Sequence, residues 1–136
     1  MVLEFPGDAW VKRLMKVVNE SDAYAQAAAK WEGDLFFIIE KSPGVPADTY
    51  LYMDLWHGEC RSAGQVAATE KLPAFEIRAP LPTWRQVLEG RLDPIRGLTT
   101  RRLKVKGNLM QILKSPKAAL ELVNCAREIE TTYPAP

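Results

Sequence analysis

His57 is the single histidine of this 136-residue chain, with Glu59 and Cys60 close behind it. A metal site would need these nitrogen, oxygen and sulfur donors to converge on one point. In a strand-turn segment, adjacent side chains alternate in direction and splay apart. His57 therefore reads as a partly exposed turn residue. A Cys–His nucleophile pair lacks support for the same reason. Cys125, the other cysteine, falls on the apolar stripe of a helical pattern and reads as inert packing. No catalytic residue, metal or cofactor is expected.

Other chemistry is equally thin. There is no GxGxxG and no P-loop, and "GRLDPIRG" lacks the strand–loop–helix setting of a phosphate cradle. Glu128 and Glu130 lie on a helix surface without the environment of an acid–base pair. The concentrated charge is cationic. Arg91, Arg96, Arg101, Arg102, Lys104 and Lys106 fall within sixteen residues. Such a cluster either solvates a sheet edge and guards it against edge pairing, or docks on an anionic headgroup or a CoA phosphate. Nucleic acid is not expected, because the formal net charge is only +1 and no aromatic–basic motif accompanies the cluster.

The elements that must carry these residues can be read from periodicity. Trp10, Leu14, Val17 and Val18 fall at helical spacing, with Asp8 as the expected N-cap. Ser21 is placed to cap a second helix, which Gly33 ends. "DLFFIIEK" predicts a strand over 35–40. After the breaker "SPGVPADT", "YLYMDLWHG" alternates. Leu51, Met53 and Leu55 share one face, and Tyr50, Tyr52, Asp54 and Trp56 share the other. A hairpin follows from this, with a weak third strand over 60–69. "AFEIRA" is a strand that Pro80 and Pro82 stop. Thr83 and Gln86 match a capping box for the next helix, and Gly90 ends it in a left-handed conformation. Asp93 and Pro94 open a one-turn helix.

"RRLKVKGN" then alternates cationic and apolar residues. Leu103 and Val105 face the core, while the Arg102, Lys104 and Lys106 stems cover the sheet with their charges in water. Gly107 allows a sharp turn, and Asn108 caps the last helical segment, which Ser115-Pro116 interrupts. The expected fold is α+β. A five-stranded, mainly antiparallel sheet is covered by helices on one face. Residues 1–136 form a single domain, with no repeat or linker.

Two cysteines far apart are too few for a disulfide framework and read as reduced thiols in a cytoplasmic protein. No signal peptide, peroxisomal address or run approaching the roughly 18 apolar residues of a membrane span is expected.

The block from Phe75 to Asn124 resembles the sterol carrier protein type 2 family of lipid-binding domains. There a helix ends near G-x-L-x-P, and a G-K-L-K-V-x-G-D/N strand opens the last helix. Gly90, Leu92 and Pro94 match the first motif. Leu103, Val105, Gly107 and Asn108 match the second. The second motif's first glycine is replaced by Arg101 or Arg102. The hairpin "YLYMDLWHGEC", with Gly58 at its turn, resembles the family's earlier strand pair.

The resemblance implies an apolar tunnel between sheet and helices. It would bind and transfer a fatty acid, acyl-CoA, sterol-like molecule or other lipid without changing it. Patterning places Met53, Leu55, Phe75, Ile77, Trp84, Leu88, Leu103, Val105, Met110 and Leu113 on its wall. Arg96, Arg101, Arg102, Lys104 and Lys106 are candidates for headgroup contacts, and an anionic membrane surface is a transient partner. The alternative is an accessory interaction domain supporting a lipid or quinone biosynthetic enzyme, with an exposed apolar patch in place of a tunnel. An enzyme with an unrecognised arrangement is the third reading. Sequence leaves the ligand and the oligomeric state open.

Overall fold

A computed structural model describes residues 1–135. A two-residue strand β1 (Leu3–Glu4) leads into helices α1 (Asp8–Asn19) and α2 (Asp22–Ala27). Strands β2 (Glu32–Glu40), β3 (Thr49–Trp56) and β4 (Glu59–Val66) form a meander. After β5 (Phe75–Pro80) come α3 (Leu81–Leu88) and α4 (Pro94–Thr99). Strand β6 (Lys104–Lys106), helices α5 (Leu109–Leu113) and α6 (Pro116–Arg127), and strand β7 (Thr131–Thr132) complete the chain.

The main sheet has the order β4-β3-β2-β5-β6. Three of its four pairings are antiparallel, whereas β2 and β5 run parallel, so the sheet is mixed. The reason is the connection from β4 to β5. It leaves one edge, crosses β3 and β2, and enters β5 alongside the start of β2. It crosses the outward face, where Lys71 Nζ sits 5.0 Å from the Tyr52 ring centroid and Ala74 N donates to Asp34 Oδ1 at 2.8 Å. That crossover helps explain why outward-facing Phe36, Ile38 and Tyr52 are buried. The opposite face carries Leu35, Leu51, Met53, Leu55, Phe75 and Ile77 and forms the main core with the helices.

Local starts and stops differ from expectation where long-range contacts intervene. Gly7 precedes α1, and Asp8 is its first residue rather than its cap. The Asp8 carboxylate instead accepts from Gln65 N at 2.9 Å and pairs with Lys12 Nζ at 2.8 Å. Helix α2 is capped by Ser21 as expected but ends at Ala27. Gly33 does not end it. Gly33 lies inside β2 with φ +154°, and a Cβ there would stand 2.6 Å from Phe75 Cε2. Helix α3 starts at Leu81 without the Thr83–Gln86 box, because Pro82 presets the first turn and Ser42 Oγ accepts from Leu81 N at 3.4 Å.

The caps at Asp93 and Asn108 form as expected, accepting from Arg96 N and Gln111 N. Gly90 is left-handed, with φ +77°. Strand β6 is only three residues long. Arg101 takes φ +61° just ahead of it, at the place of the motif glycine. A small parallel sheet, β1 with β7, ties the two ends of the chain together. Two-residue strands carry no periodicity, so this pairing was not foreseeable.

Candidate functional site

Between the inward face of the sheet and helices α3 to α6 lies an apolar cavity. The space open to the centre of a water-sized sphere is about 90 Å³, several times the ~10–15 Å³ that one water needs. Strands β2, β3 and β5 supply Leu35, Phe37, Leu55 and Ile77 to its wall. Ser115, just ahead of α6, and Ala118, Ala119, Leu122 and Val123 of α6 complete that side. These fall three or four positions apart and so share one helix face. Alanines at two of the five positions leave space where longer side chains would fill it.

Polar groups in the wall are few and mostly engaged. Trp31 Nε1 donates to Gly33 O at 2.9 Å, and Trp84 Nε1 donates to Ile38 O at 3.0 Å. Tyr24 and Ser115 are the wall residues that carry a hydroxyl. Burial pushes the Tyr24 phenol up, so it stays a neutral donor at ordinary pH. Ser115 precedes α6 and makes no capping bond there. Among the described residues, no charged side chain lines the cavity. Helix α5 covers one end through Ile112, and Gln111 Nε2 fastens it to β2 by donating to Glu32 O at 3.0 Å.

Of the wall positions expected from sequence, Leu55, Ile77, Trp84 and Leu103 lie on this cavity. Leu88 lies instead on a second, smaller one beneath α1. Met53 and Phe75 face inward but are buried in solid core, with the Phe75 ring 5.2 Å from Trp31. Val105 packs against the core from β6 without reaching the cavity. Met110 is 58% exposed, because the short helix turns Ile112 inward and Met110 away. Leu113 is half-buried and off the wall. No α6 residue was among the expected wall positions, although the helical spacing of Ala118, Leu122 and Val123 is a signal from which that face could have been found. Tyr24, Trp31, Pro94 and Leu98 reach the cavity only through tertiary packing.

The cationic cluster is divided. Lys104 and Lys106 pair in register with Arg78 and Glu76 on the outward face of the sheet, opposite the cavity. Lys106 Nζ is 3.8 Å from Glu76 Oε2. The Arg102 guanidinium donates to Gln86 Oε1. Arg96 and Arg101 are exposed at the other flank, on and after α4. Alternation along β6 and the left-handed turn at Arg101 send these side chains to different surfaces.

His57 occupies the β3–β4 turn with φ +49°. Its Nε2 is 2.5 Å from Glu32 Oε2, both side chains being about half exposed. Cys60 and Cys125 are free and buried. Burial pushes the Cys60 thiol up to about 11 and raises that of Cys125, which leaves both as weak nucleophiles at neutral pH. Among the described residues, no helix is long and apolar enough to cross a membrane.

A small α+β domain whose sheet and helices enclose an apolar cavity defines a class of hydrophobic-ligand binders. The model of the SCP-2 sterol transfer family matches residues 11–119. The chain is 41% identical to a protein whose crystal structure is that of sterol carrier protein 2, covering 90% of this chain and 96% of that one, with a TM-score of 0.81. It is 40% identical to a conserved hypothetical protein of Thermus thermophilus offered as a candidate sterol carrier protein, over 91% of this chain and 88% of that one, with a TM-score of 0.80. The ubiquinone synthesis protein UbiJ-SCP2 shares the fold at 13% identity, with coverage of 88% and 87% and a TM-score of 0.54. No curated protein sequence matches the chain significantly. The chain belongs to the SCP-2 sterol transfer family, a family of lipid-carrier domains.

Proposed function

We propose that this protein binds and transfers a hydrophobic ligand without chemically changing it. The observation that carries the reading is the uncharged cavity between the sheet and α3–α6. Burial supplies the driving force, at about 0.8 kcal/mol per methylene. A fatty acid, acyl-CoA, sterol-like molecule or other lipid presents enough apolar surface. Buried, protonated thiols and an exposed His57–Glu32 pair favour a carrier over an enzyme, and reduced cysteines suit the cytoplasm. Of the expected headgroup cluster, Arg96 and Arg101 lie on the helical flank and could meet an anionic membrane transiently.

Displacement of a fluorescent fatty acid by unlabelled fatty acid tests the proposal. Saturable binding at micromolar concentration is expected, and absence of binding at tens of micromolar would remove the carrier reading. Mass spectrometry of organic extracts of the purified protein identifies any retained ligand.

A second reading is a domain that supports a lipid or quinone biosynthetic enzyme. It draws on the fold shared with a ubiquinone synthesis protein and on Leu72, which is 99% exposed on the crossover. Co-purification of such an enzyme, lost with Leu72→Ser while lipid binding persists, would favour it.

A further inference from the structure

The second cavity lies directly behind the first. It measures about 60 Å³ and is lined by Trp10, Val11 and Leu14 from the N-terminal segment, Leu51 from β3, and Leu88 and Ala126 from the flanking helices. The two cavities share five wall residues: Phe37, Trp84, Val87, Leu122 and Val123. Each alone is smaller than the ~150 Å³ of an apolar cavity known to take up benzene. Together they only reach about that size, so a long acyl chain must join them and widen them as it enters.

The partition is aromatic. The Phe37 and Trp84 rings meet edge-to-face, with centroids 5.9 Å apart and planes at 83°. Trp84 is fixed, since its Nε1 donates to Ile38 O within the buried core. Phe37 has no polar tether. It points inward from β2, the middle strand of the sheet, yet it is not fully buried, whereas Leu35 and Ile39 on the same face are. An inward residue on a central strand should be enclosed. Phe37 is not, because it borders open space on both sides. Its ring lines both cavities, so a change of rotamer would join them.

We infer that Phe37 is a chain-length gate between two binding chambers. The first carbons of a chain occupy the first chamber with Phe37 in place. A long, unbranched acyl chain turns Phe37 aside and extends into the second chamber beneath α1. The ligand class this selects is a flexible single-chain lipid, because a rigid ring system cannot thread past the Phe37–Trp84 pair. The inference rests on the carrier reading above and adds the ligand's shape to it.

Affinities of saturated fatty acids, from eight to eighteen carbons, test the gate. Burial of each added methylene strengthens binding about fourfold. In the wild type this rise should break at an intermediate length, where the chain meets Phe37, and resume beyond it. Phe37→Ala should abolish the break and strengthen the long acids at least tenfold relative to the short ones. Ala126→Leu fills the second chamber without touching the partition. It should leave the short acids unchanged and weaken the long ones at least tenfold. If Phe37→Ala does not fold, the Ala126→Leu length profile decides the matter. A uniform rise in the wild type, or an Ala126→Leu effect equal at all lengths, overturns the gate and leaves the carrier reading intact. No binding at any length overturns both.

Discussion

Ala118→Leu separates a true void from a packed core. Ala118 is buried, and its position on α6 puts it in the wall of the first cavity. The substitution adds three carbons on that wall. Helix propensity barely changes, as alanine and leucine are both strong formers. In a void, the added carbons gain contacts and displace about three methylenes of a bound chain. At about 0.8 kcal/mol each, the loss is roughly 2–2.5 kcal/mol, or about fiftyfold in affinity. Stability should hold or rise, because a cavity is being filled. In a solid core the same carbons would cost about 1–3 kcal/mol of stability through overcrowding. The assay pairs fatty-acid displacement with urea unfolding of the ligand-free protein. Leu113→Ala is the control, since Leu113 lies off the wall. It should lower stability and leave affinity nearly unchanged. A destabilised Ala118→Leu protein with wild-type affinity would refute the reasoning.

Three further outcomes follow from local geometry. Trp84→Phe removes the donor to Ile38 O and should cost about 1–3 kcal/mol in urea unfolding. Arg101→Gly should stabilise by ~0.5–1 kcal/mol in the same assay, because relief of the left-handed strain at φ +61° exceeds the added freedom of the unfolded chain. Stability should fall in the alkaline range. Burial holds Cys60 protonated up to about 11, against 9.0 for an ordinary thiol, so the folded state keeps a proton that the unfolded state releases. That contribution is present below pH 9 and is lost as pH rises through about 11. Thermal midpoints measured across this window should decline less steeply in Cys60→Ala. The flattening is partial, because burial raises Cys125 and Tyr24 in the same direction.

Much of the fold was legible because its signals are local. The β3 alternation from Tyr50 to Trp56, the caps at Ser21, Asp93 and Asn108, and the break at Ser115-Pro116 involve residues within a turn of each other. The motif residues Gly90, Leu92, Pro94, Leu103, Val105, Gly107 and Asn108 pointed to the family. Arg101 takes a left-handed conformation that glycine adopts more readily. Tertiary structure decided the rest. The parallel pairing of β2 with β5 arises because the 67–74 segment crosses over β3 and β2 instead of turning a hairpin, and the short β1–β7 sheet joins residues far apart in sequence. Periodicity could say that Met53, Phe75, Ile77 and Trp84 turn inward. It could not say that the first two meet solid core while the others meet a cavity. A void is the mismatch between side-chain volumes contributed by separate elements, here the small residues of α6 set against β2 and α3, and no single segment contains it.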